Sequence, residues 1–143
     1  MVAVDTNILV YAFNTAAPEH EPATRALLRL ATTPAWGIPW VAAAEFMAVT
    51  TNPRLWKPTP SAEDAASALD VWLGTPGARL LGEVPSTWKT FRELAVRGRV
   101  QGRRVHDARI AAVCLDHGVT ELWSLDRDFS WFPDLRVRNP LFD

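Results

Sequence analysis

Short apolar runs alternate along this chain with longer segments whose apolar residues recur at helical spacing. A chain so patterned has few options beyond a parallel sheet with helices packed on it. Val2–Val4, "WGIPW" (36–40), "ARLLGE" (78–83), "ELWSLD" (121–126) and "LRVRN" (135–139) read as strands. Between them, a turn and helix are expected over Asn7–Phe13. A further helix is expected over Glu19–Ala31, where Ala23, Ala26, Leu27 and Leu30 share one face. "VAAAEFMAVTT" (41–51) reads as a helix that is apolar nearly all round, stopped by Asn52-Pro53. The next helix opens at Ser61, a capping residue with Asp64 three positions on, and stops at Gly74. Ser86 and Gly98 bound another, and "VHDARIAAVCLDHG" forms the last, ending at Gly118. The reading is an α/β fold: a three-layer α/β/α sandwich with a central, mostly parallel sheet. The 143 residues, 48% of them hydrophobic, form a single domain spanning 1–143 with a substantial core.

Against this apolar frame, four carboxylates stand in unusual places. Asp5 directly follows the first strand and Asp126 ends the "ELWSLD" run. In open α/β sheets ligands bind beyond the carboxyl ends of strands, so both aspartates are expected on one sheet edge. Glu45 interrupts an apolar helix, where an ionised carboxylate is costly unless paired. Asp107 lies in the first turn of the last helix. Each has an ordinary explanation. Asp5 and Asp126 could cap the segments that follow them, Asp107 could complement a helix dipole, and Glu45 could pair with a distant arginine. Position 110 is Ile, which argues against a capping box at Asp107. An α/β fold, however, can bring all four to one end of the sheet. Carboxylates gathered there repel one another unless a hard divalent cation intervenes; Mg²⁺ and Mn²⁺ prefer oxygen ligands. His20, His106 and His117 are scattered and do not suggest zinc. Such a site suits phosphodiester hydrolysis, with Asn7 and Ser124 placed to orient Asp5 and Asp126.

Four stretches now occur in order: "VDTNILVY", "AAAEFMAV", "HDARIAAV" and "WSLDRDF". Together they resemble the PIN domain, and within it the VapC-type toxin ribonucleases of bacterial toxin–antitoxin pairs. "TTNPRLW" resembles one subgroup of these toxins. The resemblance spans essentially the whole chain. It implies that Asp5, Glu45, Asp107 and Asp126 are catalytic and bind metal, that Asn7 and Ser124 support them, and that Asp128 is a further, less regular ligand. It implies Mg²⁺- or Mn²⁺-dependent endonucleolytic cleavage of RNA, a small VapB-type antitoxin whose tail blocks the site, and a homodimer.

An acidic cluster repels phosphate, so cations are needed nearby. "RGRVQGRR" supplies Arg97, Arg99, Arg103 and Arg104 just before Asp107. Arg54 and Lys57 flank Trp56, which could stack on a base. Trp40, Trp56, Trp72 and Trp88 are candidates for a dimer or partner surface. A net charge of −1 argues against bulk electrostatic capture of nucleic acid. The single cysteine, Cys114, excludes an internal disulfide and fits a reducing compartment. With no signal-peptide pattern or apolar run of membrane-spanning length, a cytoplasmic protein is expected. Two alternatives remain open at this point: a structure-specific DNA nuclease using the same site, and a non-catalytic binding module with a residual acidic pocket. A haloacid-dehalogenase-like phosphatase would want Asp where Asn7 stands.

Overall fold

A computed structural model describes residues 1–127, 129 and 132–142. Five strands form one sheet: β1 (Val2–Val4), β2 (Trp36–Pro39), β3 (Ala78–Leu81), β4 (Glu121–Trp123) and β5 (Arg136–Arg138). Their order is β3-β2-β1-β4-β5, and every pairing is parallel. Helices α1 (Thr6–Phe13), α2 (His20–Ala31), α3 (Trp40–Thr50), α4 (Ala62–Leu73), α5 (Thr87–Arg97) and α6 (Arg104–Asp116) connect them.

Strand alternation divides the core in two. Val4, Trp36, Ile38 and Trp123 pack with residues of α1, α2, α3 and α4. Ala3, Leu81 and Leu122 join Leu94 of α5 and the apolar side of α6. Successive side chains of a strand point to opposite faces, which gives the expected three layers. β1, β2 and β3 step one way across the sheet, and the chain then returns to lay β4 and β5 on the other flank of β1. The sheet therefore has its switch point between β1 and β4, where a crevice opens beyond the strand ends. The Asp5 amide donates to the Trp123 carbonyl at 2.9 Å, carrying the β1–β4 pairing right to that edge.

Several boundaries differ from the expected ones. Helix α1 begins at Thr6, because the Asp5 carboxylate caps its first amide. Trp40 opens α3 instead of closing β2. The Ser61–Asp64 capping box is present, whereas Ser86 makes no side-chain cap; the Thr87 hydroxyl turns to the Val84 amide. Gly118, at φ +70°, follows α6 and reverses the chain towards β4. A 3₁₀ turn over Pro140–Phe142 had no signal in the sequence. Cys114 is buried in α6, and burial pushes its thiol up to about 12, so it behaves as a core residue. Among the described residues no helix is long and apolar enough to cross a membrane.

Gly77 marks the tightest backbone approach. A Cβ there would sit against the Thr33 carbonyl oxygen and only 3.0 Å from the Pro34 carbonyl carbon. The Gly77 carbonyl also accepts from the Trp36 amide at 2.9 Å, joining the entries to β2 and β3. Gly77→Ala is expected to destabilise the fold by about 2–3 kcal/mol, because backbone and not a flexible side chain must yield. Urea unfolding checks this; a midpoint equal to that of the parent protein would refute it.

Candidate active site

Asp5 stands at the end of β1 and is buried, 6% exposed. Its Oδ1 accepts from the Thr6 amide at 2.7 Å. Its Oδ2 accepts from the Ser124 hydroxyl at 2.6 Å and from the Asn7 side-chain amide at 3.1 Å. Asn7 Nδ2 also reaches Ser124 Oγ at 3.1 Å, and Asn7 Oδ1 accepts from the Leu125 amide. Ser124 Oγ in turn accepts from the Asp126 amide at 3.0 Å. The two residues expected to orient the aspartates thus weld the ends of β1 and β4 together.

The four carboxylates, distant in sequence, line one cavity of about 540 Å³, together with Thr6, Asn7, Tyr11, Arg103 and His106. Topology explains the convergence. Asp5 and Asp126 follow the adjacent strands β1 and β4, Glu45 lies in α3 directly after β2, and Asp107 is in the first turn of α6. The Asp5 carboxyl is pushed up from 3.8 to about 6, chiefly by burial, with smaller contributions from the negative charges of Glu45 and Asp107. Its hydrogen bonds to Ser124 and Thr6 oppose that rise.

Two expectations need correction. Glu45 is exposed at the cavity rim instead of buried in an apolar helix. Ala44 and Ala48 share the exposed side of α3, so small residues made a half-solvated helix look apolar all round. Nor do the acids form a tight cage: among the described residues no three His, Cys, Asp or Glu side chains are grouped closely enough to hold an ion. Asp5 accepts from the Ser124 hydroxyl and Glu45 Oε2 from the Thr6 hydroxyl, both at 2.6 Å. The lining still suits a hard cation. Its acidic groups offer oxygen only, and Mg²⁺ binds through one or two carboxylates while keeping several waters. Asp128 lies outside the described residues.

Of the basic candidates, Arg103 lines the cavity. Arg104 is the first residue of α6. Arg97 is committed to Asp134 at 2.6 Å. Arg99 lies in the loop before α6, and Arg54 and Lys57 occupy the exposed turn after α3; none of these three is part of the lining. Trp56 is half-buried. Its Nε1 donates to the Val49 carbonyl, and its ring meets Phe13 edge-on. Trp72 likewise packs on Phe46, whereas Trp40 and Trp88 are 56% and 66% exposed. Sequence reasoning missed Thr6 and Tyr11; a hydroxyl beside a strand-end aspartate was the signal available for the first.

Ser124→Ala removes the shortest hydrogen bond to Asp5. Because that bond lowers the Asp5 pKa, its loss is expected to raise the pKa beyond about 6. The Asp126 amide also loses its acceptor, at a stability cost of about 1–2 kcal/mol. Carboxyl ¹³C NMR titration reads the first effect, and an unchanged or lower Asp5 pKa would contradict it.

Comparison with known proteins agrees with this fold. The PIN domain family model matches residues 2–134. VapC ribonuclease Mb2897 of Mycobacterium bovis is 38% identical over 142 residues, covering 99% of this chain and 96% of that protein. The crystal structure of VapBC2 from Rickettsia felis bound to a promoter DNA fragment superposes with a TM-score of 0.72 at 20% identity, covering 96% of this chain and 98% of that one. VapC20 of Mycobacterium tuberculosis, described as a Sarcin-Ricin loop cleaving toxin, gives a TM-score of 0.68 at 20% identity, covering 91% and 93%. From the acidic crevice at the switch point of its parallel sheet, and from this near-full-length match, the chain belongs to the PIN domain family, among its VapC-type members.

Proposed function

We propose that this chain is a divalent-metal-dependent endoribonuclease and the toxin of a toxin–antitoxin pair, working in the cytoplasm. One observation carries the reading: Asp5, Glu45, Asp107 and Asp126 converge on a single crevice at the sheet's switch point. The ribonuclease names of the relatives support RNA as the substrate. Asp5, Asp107 and Asp126, with Glu45 at the rim, are the acids of which one or two at a time would hold Mg²⁺ or Mn²⁺ beside bound water. Such an ion, when bound, lowers the pKa of a water and steadies charge on phosphoryl oxygens. Ser124, Asn7 and the Thr6 amide fix the Asp5 carboxylate, so little reorganisation is needed as the site loads. Arg103 and His106 supply donors for an RNA phosphate in an otherwise acidic lining. A VapB-type antitoxin is the partner, and the exposed Trp40 and Trp88 offer apolar surface for it or for a second copy of the chain.

Incubating the purified protein with matched single-stranded RNA and DNA oligonucleotides tests the assignment. With Mg²⁺ or Mn²⁺ the RNA is cut and the DNA is left intact, and excess EDTA stops cleavage. Equal cleavage of DNA would sink the RNA assignment. Undiminished cleavage in EDTA would sink the metal dependence.

A further inference from the structure

Thr6 bridges two of the acids without neutralising either. Its amide donates to Asp5 Oδ1 at 2.7 Å and its hydroxyl to Glu45 Oε2 at 2.6 Å. The same hydroxyl lies 3.5 Å from the Ala42 carbonyl, one turn before Glu45 on α3, so it is seated against that helix backbone as well. Thr6 is barely exposed, while Glu45 is solvated at the rim. An exposed glutamate has many rotamers, and the negative charge of Asp5 pushes it away from the cavity. A buried, rotamer-limited hydroxyl is the group that can hold it inward.

We infer that Thr6 is a positioning residue that sets Glu45 at a fixed place relative to Asp5, so that both face one cation. This rests on the metal-dependent nuclease reading. The choice of side chain matters chemically. A lysine or arginine could make the same contact, but its charge would compete with the cation for both carboxylates. A hydroxyl spends its single proton on Glu45 and leaves the net negative charge of the site intact. Thr6 occupies the first position of α1, where its own amide would lack a helical partner, and the Asp5 side chain fills that need. One residue thereby ties β1, α1 and α3 into the geometry of the acids.

The test compares Thr6→Val, which keeps the shape and loses the hydroxyl, with Thr6→Ser, which keeps the hydroxyl. Mn²⁺ affinity is measured by titration calorimetry on each folded protein, checked by circular dichroism, alongside kcat and KM on an RNA oligonucleotide. Thr6→Val is expected to weaken Mn²⁺ binding by about 10–100-fold and to lower kcat with little change in KM, whereas Thr6→Ser stays close to the parent. If the parent binds Mn²⁺ and Thr6→Val binds it equally well, the inference on Thr6 is overturned while the nuclease reading stands. If Thr6→Ser loses as much as Thr6→Val, packing and not the hydroxyl is responsible, and the inference is again overturned. If the parent protein itself takes up no Mn²⁺, both the inference and the metal-dependent reading fall.

Discussion

Asp5→Asn removes RNA cleavage, by on the order of 10³-fold, and at the same time makes the metal-free protein more stable at neutral pH. The two effects share one cause. Burial and the neighbouring acids raise the Asp5 pKa from 3.8 to about 6, so the folded protein favours the protonated form more than the unfolded chain does. A raised folded-state pKa contributes stability that is fully present below the unfolded value and is lost as pH rises through the folded one. The window therefore runs from about pH 4 to about pH 6, and ionised Asp5 costs the metal-free fold about 3 kcal/mol above it. Asparagine carries no charge to desolvate. It does turn a donor towards Asn7 Nδ2, which now donates to Asp5 Oδ2 at 3.1 Å. That mismatch returns about 1 kcal/mol. A net gain of about 1–2 kcal/mol is expected at pH 7.5 in EDTA, and none at pH 4. Stability traded for charge in this way is characteristic of functional sites. Thermal unfolding at the two pH values, beside a cleavage assay, checks the prediction. An Asp5→Asn protein that cuts at the parental rate would remove Asp5 from the mechanism.

The largest effect on stability is expected at Phe46, the residue after Glu45. Phe46 is fully buried, and its ring lies edge-on to Phe13 of α1 at 5.5 Å and to Trp72 of α4 at 5.4 Å between centroids. It is the central member of an aromatic row that fastens α3 to the helices on either side. Phe46→Ala leaves a cavity that three helices cannot close together, and about 3–5 kcal/mol should be lost. That is a large share of a typical domain's total stability. The loss reaches the site as well, because the residue before Phe46 on α3 is the solvated Glu45. Urea unfolding gives the value; a cost below about 1 kcal/mol would show that α3 is held by other contacts.

The sequence made the layers and the strand-end acids legible because both depend on local pattern. A three-residue strand followed at once by Asp5 leaves the carboxylate no place but the sheet edge. Alternating strands and helices then put Asp126 on the same edge. What local pattern could not supply was which side chains meet across the fold. Arg97 sits in a basic run that reads as a phosphate contact, yet Asp134, 37 positions away, engages it. Trp56 lies between two cations but is held by the Val49 carbonyl and Phe13. Glu45 looks buried because alanines surround it, although alanine sits as readily on a solvated helix side as in a core. Thr6 has no role visible in the sequence, because only its contact with Glu45, 39 positions on, gives it one.

The pull of a cation on Asp5 can be observed directly. Carboxyl ¹³C NMR follows the Asp5 titration in EDTA and again in saturating Mg²⁺. In EDTA the midpoint should lie at about 6, and Mg²⁺ should draw it down towards or below the ordinary 3.8 as the ion takes up the charge that burial and the neighbouring acids oppose. A midpoint that Mg²⁺ leaves in place would mean that the acids of this crevice do not bind the ion.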